Sequence, residues 1–255
     1  MVLRSVSLPA HHQHTHTVIF LHGRGSNARE FSEELWENHD RRGDSLQHIF
    51  PSVRWVFPQA DESYLERFQE YHSQWFDIWG YDNPDERREL QLPGLKEVTP
   101  KLIRLIQAEA SVVGLQNVVL AGISQGCTTA LHALLNYPIP ADGVEGQRLC
   151  AFIGLSSWMS LGSGSVKETR ELLALDGSTA GPSDVIFRNT PTFISHNTDD
   201  QTVPVDQGKR LRDILTEYGM DVTWREYPTG GHWINMPQCI DDVVAFLKSQ
   251  GLTSK

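Results

Sequence analysis

Val118-Val119-Leu120-Ala121-Gly122-Ile123-Ser124-Gln125-Gly126 is an apolar, β-branched run that breaks at Gly-x-Ser-x-Gly and resumes as a helical stretch, Gly126 to Leu135. A serine at such a break sits on a turn too tight for side chains at the flanking positions, which accounts for the two glycines. The turn lifts the hydroxyl above the strand, and the helix that follows aims its N-terminal N–H groups and positive dipole end at the same point. That is a place for a nucleophile whose substrate develops negative charge on a carbonyl oxygen. Without its strand and helix the motif would be only a glycine-rich turn.

The pattern repeats on either side. Short apolar runs at Val18 to Leu21, Trp55 to Phe57, Ala151 to Leu155, Thr192 to Ser195 and Val222 to Tyr227 read as further buried strands. Helical spacing covers Phe31 to His48, Leu95 to Ala110, Val205 to Tyr218 and Asp241 to Leu252. Alternation of this kind predicts an α/β fold, a mostly parallel central sheet with helices on both faces, and places ligands at the carboxyl ends of its strands. With its serine elbow the pattern resembles the α/β-hydrolase fold. The 255 residues suit one domain, 1–255, preceded by an N-terminal segment, 1–17. Two irregular stretches are lid candidates or plain surface loops: Asp61 to Leu92, a lid-like loop that extends over 61–95, and Gly162 to Pro182.

A serine hydroxyl needs a base, which this architecture supplies from a loop near the C-terminus. His232 stands in Thr229-Gly230-Gly231-His232-Trp233, where two glycines let the backbone approach the serine. The acid should follow the preceding strand, and Thr192-Phe-Ile-Ser-His-Asn-Thr-Asp-Asp200 offers both Asp199 and Asp200. Spacing leaves the two open, and the unused one is expected to form a turn with its own backbone. Leu21-His22-Gly23-Arg24-Gly25 would bring the Arg24 N–H to an oxyanion hole shared with the N–H of Gln125; Ser26 or Asn27 would cap the next helix.

These segments, FLHGRGSNAREF, SQWFDIWG, GISQGCTTALHALL, HNTDDQTVPVDQGKRL and GGHWINMPQCIDDVVAFL, together resemble the acyl-protein thioesterase, lysophospholipase and carboxylesterase family of α/β hydrolases, from about Val18 to Leu247. The resemblance implies a serine hydrolase of esters or thioesters without a cofactor. It selects Asp200 as the acid, four residues after the strand-end histidine and before Val-Pro, and puts the oxyanion donors at Arg24 and Gln125. Trp75 and Phe76 are candidates for an acyl pocket, with core packing as the plainer alternative. The family pattern usually carries an apolar residue at Arg24. An arginine there would favour an anionic acyl group if it faces the pocket, or else turn to solvent or pair with an acid.

Net charge of -10 opposes binding to nucleic acid. No stretch has the length of a membrane span or a signal-peptide core, so stable membrane insertion is not expected. Three scattered cysteines suit the reducing cytoplasm. The substrate would be a small molecule or an acylated protein. The rivals are a lysophospholipase, a protein depalmitoylase, a tailoring hydrolase of a secondary metabolite, and a non-catalytic small-molecule receptor. The tract His11-His-Gln-His-Thr-His16 has a metal-binding composition but reads as a flexible or edge-strand segment, and no metal is expected.

Overall fold

Strands buried on both faces read as near-continuous apolar runs, and the computed structural model, which describes residues 3–139, 147–162, 164–175 and 182–254, shows five such runs inside one sheet, with the half-exposed Val222–Tyr227 at its edge. In chain order the elements are β1 (Ser5–Leu8), β2 (His16–Leu21), α1 (Ala28–Trp36), α2 (Leu46–Ile49), β3 (Val53–Pro58), β4 (Glu62–Leu65), β5 (Glu70–Ser73), α3 (Gln91–Val113), β6 (Val118–Ile123), α4 (Gln125–Leu135), β7 (Ala151–Leu155), α5 (Val166–Leu173), α6 (Asp184–Asn189), β8 (Thr192–Asn197), α7 (Val205–Glu217), β9 (Val222–Tyr227) and α8 (Gln238–Ser249). The sheet runs β1-β3-β2-β6-β7-β8-β9. Every pairing is parallel except that of β1, which lies antiparallel on β3 with Ser5 opposite Pro58.

Side chains alternate across each strand and so feed two cores. From β6, Val118 and Leu120 join α3, α4 and α7 through residues such as Leu102, Leu131 and Leu211. Val119, Ala121 and Ile123 join α1 and α8 through Phe31, Leu35, Ile240 and Val243 on the opposite face. This is the α/β-hydrolase arrangement. Because β6 is central and parallel to its neighbours, its carboxyl end, where Ser124 follows, opens beside the ends of β2, β7 and β8.

Two expectations are corrected. The helix read over Phe31 to His48 is interrupted: α1 ends at Trp36 and α2 begins at Leu46. Between them the Asp40 carboxylate accepts from the N–H groups of Arg42 and Asp44, and Gly43 takes a positive φ of 86°, a side-chain-supported turn that competes with helix. The stretch 61–95 is not a bare loop. It contains the hairpin β4–β5, paired through Tyr64 and Tyr71, a short 3-10 turn at Arg88–Leu90 and the start of α3. Of the second irregular stretch, residues 166–173 form α5, while 163 and 176–181 lie outside the described residues. The His-rich tract joins β1, an edge strand, to β2; its histidines bond separately, His14 to Thr17, His16 to Thr15 and His11 to Gln47.

Candidate active site

The elbow is closed by contact between backbones. A Cβ on Gly122 would stand 2.4 Å from the N of Cys127, and one on Gly126 would stand 2.4 Å from the carbonyl oxygen of His22. Glycine alone lets β6, α4 and the end of β2 approach this closely. Ser124, caught between them, adopts φ 54°, ψ -126°, a strained conformation for a residue with a side chain. Its backbone is pinned on both sides: its N–H donates to the Leu155 carbonyl at 2.9 Å, and its carbonyl accepts from Ser157 Oγ at 2.7 Å.

From this turn the Ser124 Oγ reaches His232 Nε2 at 2.9 Å, and His232 Nδ1 reaches Asp200 Oδ2 at 2.7 Å. Asp200 is buried in the turn that follows β8, and its other oxygen accepts from the N–H groups of Thr202 and Val203, each at 2.9 Å. Burial by itself would raise the Asp200 pKa. Hydrogen bonds from His196 and His232 and from the Val203 N–H outweigh it and hold the carboxyl well below the usual range. A carboxylate so fixed directs the Nδ1 proton of His232 toward itself and leaves Nε2 as the acceptor facing Ser124.

Asp199 does something other than form a turn with its own backbone. Its two oxygens accept from Gly231 N at 2.8 Å and Gly230 N at 3.2 Å, so it grips the loop that carries His232. Asn197 grips the same loop from below, donating through Nδ2 to the carbonyls of Gly231 and Trp233 at 2.9 and 2.6 Å. A Cβ on Gly230 would meet that amide at 2.5 Å. His196 completes the support: its Nε2 lies 2.9 Å from the Val203 carbonyl and 3.3 Å from Asp200 Oδ2. Sequence reading treated His196 only as the end of a strand and did not single out Asn197. The HNTDD run carried both, but nothing local says which loop a strand-end side chain will meet.

The segment with Arg24 is set by His22. Burial drives this imidazole down to about 4, against the raising effects of its bond to the Gly23 carbonyl and of Glu30, so it is neutral at pH 7. Its Nδ1–H donates to the Gly23 carbonyl at 2.7 Å, and Nε2 accepts from the Ala60 N–H at 3.2 Å. With the Gly23 carbonyl turned to His22, the trans peptide sends the Arg24 N–H the other way. Gly23 itself passes so close that its Cβ would lie 3.5 Å from Ser124 Cβ. The N–H of Gln125 belongs to the first turn of α4, whose donors have no acceptor within the helix. Asn27 caps α1, its Oδ1 accepting from Arg29 and Glu30.

Trp75 and Phe76 are buried behind the site, at 4% and 1% exposure, and are tied to α4. The Gln125 side chain accepts from Trp75 N–H and donates to the Phe76 carbonyl, while Trp75 Nε1 donates to the His22 carbonyl. They buttress the elbow from the core. The recess beside Ser124, about 210 Å3, is bounded instead by Arg24, Phe31, Tyr81, Thr202, His232 and Trp233. Cys127 is buried under the elbow, and burial pushes its thiol up to about 12, which leaves it un-ionised. Among the described residues no three His, Cys, Asp or Glu side chains converge as metal ligands. No helix among them is long and apolar enough to cross a membrane.

Comparison with known proteins settles the ancestry of this arrangement. Residues 5–250 match the model of the phospholipase/carboxylesterase family. The chain belongs to that family. Acyl-protein thioesterase 1 of Gibberella zeae is 31% identical over 95% of this chain and 93% of its own length. The protein of the same name from Yarrowia lipolytica is 28% identical over 96% of each. Among solved structures, Zea mays acyl-protein thioesterase 2 superimposes with a TM-score of 0.71 at 20% identity, covering 97% of this chain and 98% of that one. A Bacillus cereus carboxylesterase does so at 0.64 and 14%, covering 97% and 94%. At such identities the structures speak for the shared fold.

Proposed function

We propose that this family member is a serine hydrolase of carboxylic esters or thioesters that works through an acyl-enzyme on Ser124. The observation that carries the proposal is the unbroken hydrogen-bond chain from Ser124 Oγ through His232 to Asp200, mounted on a strand-to-helix elbow. In this mechanism His232 Nε2 takes the hydroxyl proton as Oγ attacks the acyl carbonyl, and Asp200 stabilises the imidazolium. The oxyanion receives N–H donation from Arg24 and Gln125. His232 then returns the proton to the departing alcohol or thiol. Water, deprotonated by the same imidazole, attacks the acyl-serine and releases the acid.

An acylated protein is the favoured macromolecular substrate, because relatives at 31% and 28% identity bear the name acyl-protein thioesterase. The cytoplasm is the proposed compartment, supported by three free, buried cysteines. The test is hydrolysis of p-nitrophenyl esters from acetyl to palmitoyl by the protein and by Ser124→Ala. Wild type should turn over at least one chain length, with kcat/KM at least about a thousandfold lower in the variant. A folded wild type inactive on every ester, or a variant as active as wild type, would refute the assignment.

A further inference from the structure

Beside the recess at Ser124 lies a second one of about 320 Å3, lined by Arg24, Arg67, Phe68, Trp79, Tyr81 and Asp82 among others. The two share Arg24, Tyr81 and Thr202 as common walls. Here the arginines and aromatics interleave. The Arg24 guanidinium carbon lies 4.9 Å from the Tyr81 ring centre and 5.9 Å from that of Phe68. That of Arg67 lies 5.5 Å from Phe68 and 5.6 Å from Trp79. An aromatic face holds a guanidinium in place without consuming its in-plane N–H donors, which are the groups that fit a carboxylate.

Other arginines of this region are ion-paired, and these two are not. Nearby Arg87 pairs with Glu66 and Glu89, and Arg210 with Asp85. Neither Arg24 nor Arg67 has a carboxylate within 4.0 Å among the described residues; Arg67 spends one N–H on the Trp79 carbonyl at 2.6 Å, and Arg24 lies over the Tyr81 ring. The carboxylates that share the region are Asp82, on the wall of the recess, and Asp77, whose Oδ2 accepts from the Glu66 N–H. Asp82 Oδ1 and Arg67 Nη1 lie 2.9 and 3.1 Å from the point a Cβ on Gly80 would occupy. One carboxylate thus shares the recess with two guanidinium groups, neither of them ion-paired among the described residues, and a net positive charge stands next to the candidate nucleophile of a chain with net charge -10.

We propose that Arg24 and Arg67 form an anion subsite contiguous with the Ser124 recess, which binds a carboxylate carried by the substrate and makes acidic esters or thioesters preferred over neutral ones. The proposal rests on the hydrolase reading above and specifies its substrate class. The carboxylate belongs either to the acyl chain or to the leaving group, and paired substrates separate the two: monoethyl glutarate against ethyl pentanoate, and the butyrate ester of glycolic acid against that of 2-methoxyethanol.

Wild type should favour the acidic member of at least one pair by about tenfold in kcat/KM, an advantage that falls as salt is raised. Arg67→Gln should bring that ratio close to one while leaving the rate on the neutral ester unchanged. Equal rates within both pairs, or a preference undiminished in Arg67→Gln, would overturn the subsite while leaving the hydrolase intact. Calorimetric titration of monoethyl glutarate and of the glycolate ester into Ser124→Ala, with and without Arg67→Gln, reads the subsite without turnover. Weakening of either by about tenfold supports it, and affinity unchanged for both refutes it. Failure of every ester to be hydrolysed would instead sink the hydrolase.

Discussion

Gly126→Ala sets two physical arguments against each other. Gly126 is the second residue of α4, and by helix propensity alone alanine there should stabilise the protein by about 1 kcal/mol. The added Cβ, however, would lie 2.4 Å from the His22 carbonyl oxygen and 2.5 Å from that of Leu21, where Cβ contacts under 3.0 Å essentially never occur. Both are backbone atoms, one on the last residue of β2 and one on the residue after it, so neither can rotate aside, and this segment and α4 must part by about 0.6 Å. Overpacking of this kind costs about 1–3 kcal/mol, which exceeds the propensity gain. The same displacement moves the Gln125 N–H relative to the Arg24 N–H, the two proposed oxyanion donors. Since about 1 Å of misplacement costs on the order of a hundredfold, kcat/KM should fall roughly tenfold or more. Calorimetric Tm and p-nitrophenyl butyrate kinetics on the purified variant measure both quantities. A Tm at or above that of wild type together with an unchanged kcat/KM would refute the claim that backbone contact, rather than turn preference, requires glycine at this position.

Asp199→Ala should lower kcat/KM by roughly five- to twentyfold with little change in Tm, because an exposed carboxylate contributes about 1 kcal/mol at most while the His232 loop loses two anchors. Asn at this position should recover part of the loss, and wild-type kinetics in the alanine variant would show that Asn197 suffices. Stability should also fall steeply with acid. Burial, against a raising bond to the Ser160 carbonyl, holds His132 at about 4, as burial holds His22, each below the unfolded value of 6.5, so the unfolded chain binds more protons between about pH 6.5 and 4. The stability these histidines contribute is present above pH 6.5 and is lost as pH falls through that window, by up to about 1.4 kcal/mol per pH unit for each. His132→Gln, which retains a donor for the Ser160 carbonyl, should make denaturant-derived stability less pH-dependent there; an unchanged slope would contradict the assignment.

The amino-acid sequence determined what depends on neighbours in the chain. Val118 to Leu135 specifies strand, elbow and helix because apolar run, glycines and helical spacing are all local. Six parallel strands and the helices α3, α4, α7 and α8 followed from the same kind of signal, as did the candidate roles of Ser124 and His232, whereas α5 and α6 did not. The short edge strand Ser5–Leu8, the hairpin at Glu62–Ser73 and the break between α1 and α2 did not, because half-exposed polar strands and a turn built by Asp40 carry little periodicity. Tertiary structure alone decided how the site is held. Ser124 and His232 are 108 residues apart, and only the parallel order of β6, β7, β8 and β9 brings their loops to one edge. Asp199 and Asp200, indistinguishable by spacing, separate in the turn after β8, which the Asp200 N–H closes on the Asn197 carbonyl: one side chain meets the backbone of the His232 loop and the other its imidazole. The interleaving of Arg24 and Arg67 with Tyr81, Phe68 and Trp79 likewise joins the loop after β2 to the hairpin region. Such contacts join segments far apart in the chain, and no local pattern in either encodes the other.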